Sequence, residues 1–199
     1  MYNSSVSEFL SKVKQGARNN LFLVSFAYPQ NLPGVPADSS LADVLCKAAA
    51  LPASNLGVIE VPYRGRTVKI AGDRTFDTWT VTFINDRNFE IRHAMEAWME
   101  SINSHEPNTA DRFVPEFSGQ GYLADLTVKQ LERDAGPTGS ILREYILKGC
   151  FPTNISQIDL AYDSNDQIED FTVEFQLQYW TANTANPQLT DGASQGTIN

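Results

Sequence analysis

The chain has 199 residues, with 15 Lys and Arg against 24 Asp and Glu and a net charge of −9. A chain of this length buries about 70% of its unfolded surface and needs neither disulfide nor metal to fold. The acidic balance speaks against a duplex binder, whose affinity comes largely from neutralising phosphates.

Cys46 and Cys150 stand 104 positions apart without a CxxC pairing, which reads as free thiols in a reducing compartment. His93 and His105 are twelve apart and lack the spacing of a helical zinc site. No apolar run is long enough to span a membrane, and the first twenty residues lack a signal-peptide core.

In chain order, Val6, Phe9, Leu10 and Val13 form one helical face over 4–15, with Ser5 and Glu8 as a capping box and Gly16 as the stop. Residues 21–28, LFLVSFAY, predict a strand apolar on both faces and therefore covered on both. The proline-rich stretch 29–40 is a loop. Residues 41–50 read as a helical turn or an irregular packed segment, ended before Pro52.

Alternation begins at Leu56. Leu56, Val58 and Glu60 face one way, and Ile59, Val61 and Tyr63 the other. Arg64-Gly65 suits a tight turn, so 56–71 reads as a β-hairpin arm with a cationic tip. Its own apolar face is too small to stand alone. Residues 77–85 form a half-buried strand, with Trp79, Val81 and Phe83 inward and Thr78, Thr80 and Thr82 outward. Asp86 or Asn88 then caps a helix whose core stripe is Ile91, Ala94, Met95, Trp98, Met99 and Ile102. His93 falls off that stripe, as a solvated helix residue.

A long loop covers 103–121. A strand over 122–131 buries Ala124, Leu126 and Val128, turns through 136–139, and pairs with a strand over 141–147 that Phe151-Pro152 breaks. Ile158, Leu160 and Tyr162 alternate as a short strand before a turn at 163–166. The final strand has the longest alternation: Phe171, Val173, Phe175, Leu177 and Tyr179 inward, Asp170, Thr172, Glu174, Gln176 and Gln178 outward. Residues 182–199 are a polar tail beyond a domain spanning 1–181. Alone it is expected to be disordered, and order there would have to come from outside the subunit.

No phosphate loop, GxSxG or HExxH is present, and Gly119-Gln120-Gly121 sits in a loop rather than between a strand and a helix. Glu169 with Asp170, and Asp125 near Glu132, could act as an acid–base pair, but in an acidic chain a solvated face is the simpler reading. Trp79, Trp98 and Trp180 could form a sugar or base platform, yet Trp79 and Trp98 fall on core faces. No catalytic, cofactor or metal site is expected.

Against this background the order and spacing of several segments stand out: VPYRGR at 61–66, GDRTF at 72–76, WTVTF at 79–83, Asn85-Asp86, the helix with Ile91 and Trp98, GCFP at 149–152, IDL at 158–160 and the strand from Gln167 to Tyr179. Together they resemble the tail tube proteins of contractile-tailed bacteriophages, over nearly the whole stretch from Ser5 to Thr181. The resemblance implies an α+β fold: an antiparallel β-sandwich or barrel with one main packed helix, its strands joining an intersubunit β-barrel in a hexameric ring. The secreted tube protein of type VI secretion shares that fold.

It also implies a structural virion protein, assembled in the host cytoplasm and stacked as rings into the inner tail tube through which DNA is ejected. Its partners would be further copies of itself, the tail sheath, baseplate or initiator proteins and the tail terminator. DNA would pass without specific binding, and no membrane would be involved. A tube-initiator or baseplate ring is the alternative within this class, and a small soluble hydrolase the alternative outside it.

On that reading Tyr63, Arg64, Arg66, Lys69, Asp73 and Arg74 are candidates for contact between rings. Thr78, Thr80, Thr82, Asp170, Thr172, Glu174, Gln176 and Gln178 are candidates for the lumen, whose acidic wall would repel DNA weakly. Trp79, Val81, Phe83, Ile91, Met95, Trp98, Ile102, Phe171, Val173, Phe175 and Leu177 are the expected core.

Overall fold

The computed structural model describes residues 6–13, 16–30, 32, 35, 39–107, 109–110, 115, 121–133, 141–163 and 167–184. The expected turn at 136–139, most of the 103–121 loop, residues 164–166 and the tail beyond 184 lie outside the described residues.

The elements are, in order, α1 (Val6–Val13), β1 (Phe22–Ser25), α2 (Ser40–Leu45), β2 (Cys46–Ala49), β3 (Asn55–Tyr63), β4 (Arg66–Thr75), β5 (Trp79–Ile84), α3 (Glu90–Ile102), β6 (Ala124–Leu131), β7 (Ile141–Ile155), β8 (Asp170–Gln176) and β9 (Tyr179–Thr184). The main sheet runs β1-β6-β7-β8-β5-β2, with β9 also on β7, while β3 and β4 form a separate two-stranded sheet. Every pairing is antiparallel, so the fold is α+β with two packed β-layers.

The 15 residues of β7 belong to both layers. Its first half lies between β6 and β9, and its second half pairs with β8. Lys148 faces Tyr179 and Phe151 faces Gln176, so β8 and β9 follow β7 in one register around a corner. Gly149 makes that corner. Its φ of +64° is left-handed, and a Cβ there would stand 2.7 Å from Gln178 Cγ, so a side chain would meet both backbone strain and a clash.

The core lies between the layers. Trp79, Val81 and Phe83 pair directly with Phe175, Val173 and Phe171, and none of the six exceeds 2% exposure. Burying each such side chain stabilises the fold by roughly 1.5–3 kcal/mol relative to leaving it exposed. Phe26 joins them, with its ring 5.0 Å from Phe83 and 6.2 Å from Trp79. Helix α3 closes the core: Ile91, Ala94, Met95 and Trp98 are buried, and half-buried Ile102 packs against the cluster. Leu177 is buried too, so all eleven expected core residues lie in or against it.

Asp86 stabilises the start of α3 by accepting the amides of Asn88, Glu90 and Ile91. These are otherwise unpaired donors at a helix N-terminus. Phe89 stands at the N-cap with φ +58°.

Several expectations need correction. The 21–28 segment is an edge strand covered on one face only, with Val24 buried and Leu23 41% exposed. Residues 41–50 begin in a short helix, as one of the two readings has it, but Cys46–Ala49 then form β2, an edge strand on β5. Pro152 does not break β7; it pairs with Phe175 just before a register shift, and such an irregularity accommodates a residue with no amide to donate. Residues 158–162 are not a strand: Leu160 is 79% exposed and Tyr162 fully so, because no strand among the described residues offers them a ladder or a core. Tyr179 points outward, 49% exposed, because the corner at Gln178 reverses the alternation. Strand β9 runs on to Thr184, three residues into the stretch read as tail.

Candidate functional site

Two surfaces carry the candidate functional residues, and the first is the β3–β4 arm. Arg64 (φ 47°) and Gly65 (φ 80°) form its two-residue turn, the left-handed pair that matches strand twist. A register shift after Leu56 bends the arm near its base. All of its residues except Gly72 are exposed.

Ile59 faces Ile70, Val61 faces Val68 and Tyr63 faces Arg66, so one face is a continuous apolar strip from 41% to 61% exposed. Among the described residues the arm is fixed only at its base. There Asn55 donates to Asp77 at 2.6 Å, Trp180 Nε1 donates to the Ala53 carbonyl at 3.1 Å and Phe76 packs edge-on against Trp180. A lone hairpin of this kind is marginal in water, and an exposed apolar strip rimmed by charge marks an interaction surface.

Among the predicted ring-contact residues, Lys69 pairs with Glu60 across the arm at 3.6 Å, and Arg64 lies 5.4 Å over the Tyr63 ring. Among the described residues Arg66, Asp73 and Arg74 make no ion pair. The apolar strip is the larger feature, and its signal in the sequence is the alternation of residues 59–70.

The second surface is the polar face of β5 and β8. Thr80 faces Glu174 and Thr82 faces Thr172, with the two threonine hydroxyls 3.3 Å apart, while Thr78 donates to Gln176 at 3.4 Å. Asp170 ends this face and pairs with Lys47 of β2. Sequence reasoning missed Lys47 because β2 was not read as a strand. The face is therefore closer to neutral than expected, with Glu174 its unpaired carboxylate among the described residues. Gln178 does not belong to it: its amide donates to the Lys148 carbonyl at 3.0 Å and its side chain covers Gly149.

The suspected acid–base residues have structural partners. Asp125 holds Lys148 and the Gly149 amide at the corner of β7, and Glu169 accepts from Asn85 Nδ2 at 2.9 Å. No cluster of three metal-ligating residues occurs among the described residues, and no helix there is long and apolar enough to cross a membrane.

Both cysteines are free. Burial, reinforced by Asp125, pushes the Cys150 thiol up to about 12, and burial reinforced by Asp43 does the same to Cys46. The unfolded chain releases these protons at lower pH than the folded one, so stability falls as pH rises from 9.0 toward about 12. Urea titrations at pH 8 and pH 10 should show this loss, and Cys150→Ala should reduce it. Cys150 should react with a thiol reagent at pH 8 only on unfolding.

The family described as phage tail tube protein matches residues 17–183, nearly all of the sandwich, the arm and α3. The chain belongs to that family. It is 36% identical over 165 residues to tail tube protein gp19 of Enterobacteria phage T4, covering 82% of this chain and 90% of the relative. Its fold is similar to a chain in the cryo-EM baseplate of the anti-feeding prophage, at TM-score 0.60 and 13% identity, covering 84% of this chain and 95% of that one. It is also similar to a chain of the PVC contractile injection system sheath–tube complex in the extended state, at TM-score 0.53 and 16% identity, with coverage of 90% and 98%. The family comprises structural virion proteins of contractile tails.

Proposed function

We propose that the chain stacks as hexameric rings into the inner tail tube, inside a contractile sheath, and that DNA leaves through its lumen. The observation that carries this is the β3–β4 arm: a 9-residue and a 10-residue strand with an apolar strip that none of the described residues of its own subunit covers. Such an arm is explained by a neighbouring copy. Among the described residues the outer strands β1 and β2 each pair on one side only, and closing a barrel across subunits would remove the open edges that otherwise invite aggregation.

In this arrangement Thr78, Thr80, Thr82, Thr172, Glu174 and Gln176 line water in the lumen. Hydroxyls and amides there, with Asp170 held by Lys47, offer phosphates little to grip. DNA slides past a wall that is polar, nearly neutral and without a basic patch. Arg64, Arg66 and the arm's apolar strip reach the next ring. Sheath, baseplate and terminator proteins complete the partner set, in keeping with the baseplate and sheath–tube assemblies of its structural neighbours. Assembly takes place in the host cytoplasm before the tail joins the virion.

Negative-stain microscopy with sedimentation of the purified chain tests this. Six-fold rings and short tubes are expected. A strict monomer at tens of micromolar would overturn the reading.

A further inference from the structure

The hairpin tip needs an acceptor, and the sheet register points to where it lies. β5 begins two residues after Asp77, which anchors the base of the arm. Trp79 at that end faces Phe175, and Ile84 at the other end faces Asp170. Six residues of strand, roughly 17 Å, therefore separate the arm from the segments leading into and out of the β7–β8 connection. Asn85 ties that far end together, donating its amide to the Glu169 carbonyl at 2.9 Å.

Here residues 156–161 and 167–172 enclose an open cleft of about 400 Å³. Leu160 and Ile168 line it, yet remain 79% and 77% exposed. Asp159, Glu169 and Asp170 line it as well. Lys47 takes Asp170, whereas among the described residues Asp159 meets only the side-chain amide of Gln157 and Glu169 only that of Asn85. The cleft is thus mostly polar with an acidic rim, and Leu160 and Ile168 are the exposed apolar side chains beside it. The arm at the opposite end is apolar with a basic tip. Patches that complement each other across opposite ends of one subunit generate head-to-tail association, which propagates without limit along an axis.

We propose that the cleft between residues 156–161 and 167–172 receives the Tyr63–Arg66 hairpin tip of a second copy of this chain in the next ring. Arg64 and Arg66 meet Asp159 and Glu169, and Tyr63 packs against Leu160 and Ile168. This rests on the reading of the chain as a stacked-ring tube and adds the acceptor to it. Contact of this kind couples each ring to the next through a charge pair that salt weakens, and it sets the polarity of the tube.

Charge exchange in the full-length chain, read by pelleting and electron microscopy, tests it. R64E/R66E should reduce pelletable tube at least tenfold, D159R/E169R should do the same, and the chain carrying all four changes should recover most of the polymer. Circular dichroism checks folding, and the milder D159N/E169Q, which retains an acceptor for Asn85, should lower tube yield and flatten its salt dependence. Normal tubes from R64E/R66E would overturn the arm as a ring contact, and the acceptor with it. Loss of tubes in R64E/R66E with parental yield from D159R/E169R and D159N/E169Q would overturn the acceptor alone. Loss in both reversals without recovery in the combined chain, when that chain is folded, would overturn the direct pairing.

Discussion

Replacing Trp98 by alanine should lower the stability of the subunit by about 3–5 kcal/mol, the range for large aromatic truncations in a core. Trp98 is fully buried at the centre of α3. Its ring stands 6.1 Å from Phe175 and 6.4 Å edge-on from Tyr28, and its Nε1 donates to the Tyr122 carbonyl at 2.8 Å. Truncation removes the contact between helix and sheet and leaves that carbonyl without its donor. For a domain of this size the expected fall in Tm is about 10 °C, at 2–4 °C for each kcal/mol. Trp98→Phe keeps a ring in the core but not the donor, so it should cost less than half as much. Thermal unfolding followed by near-UV circular dichroism checks both. A fall of less than 2 °C in Trp98→Ala would mean that α3 does not close the core.

Such residues were legible from the sequence because burial imposes a period. Trp79, Val81 and Phe83 alternate with threonines, Phe171 to Leu177 with polar residues, and Ile91, Met95 and Trp98 recur at helical spacing. In each case one face meets the core and the other meets water. The Arg64-Gly65 turn was legible for a different reason: glycine accepts the left-handed φ that a tight hairpin turn needs.

What was missed depends on long-range pairing. Strand β2 is four residues long and owes its conformation to β5, which no local pattern reveals. Strand β7 passes through Pro152 because a register shift sits beside it, and a proline read alone argues for a break. The alternation of Ile158, Leu160 and Tyr162 looked like a strand but has no partner strand among the described residues, and Ile158 and Leu160 line a cleft instead. Lys47 could be paired with Asp170 only once β2 was placed. The arm itself was legible as a hairpin, while its solitude was not, since exposure on both faces is a property of the fold.

That solitude leads to the second large effect, which separates folding from assembly. Asn55 and Thr75 face each other at the base of the arm, and directly paired residues stand about 4.5–5.5 Å apart. Residues 56–74 can therefore be replaced by a two-glycine link without moving either end. The base contacts of Ala53 with Trp180 and Asn55 with Asp77 remain. No residue of the removed segment belongs to the buried core, so the shortened chain should unfold within about 1 kcal/mol of the parent, as changes remote from core contacts do. Tube formation should disappear altogether, because the deletion removes both the apolar strip and the cationic tip. Isolated rings are the expected product, since the strand edges β1 and β2 are untouched. Sedimentation velocity distinguishes rings from tubes and monomers, and thermal unfolding reports the fold. Tubes of normal length from the shortened chain would show that the arm does not join rings, whereas a large loss of stability would show that it belongs to the subunit's own core. A folded, ring-forming, tube-deficient chain is the outcome that an arm built for the next copy requires.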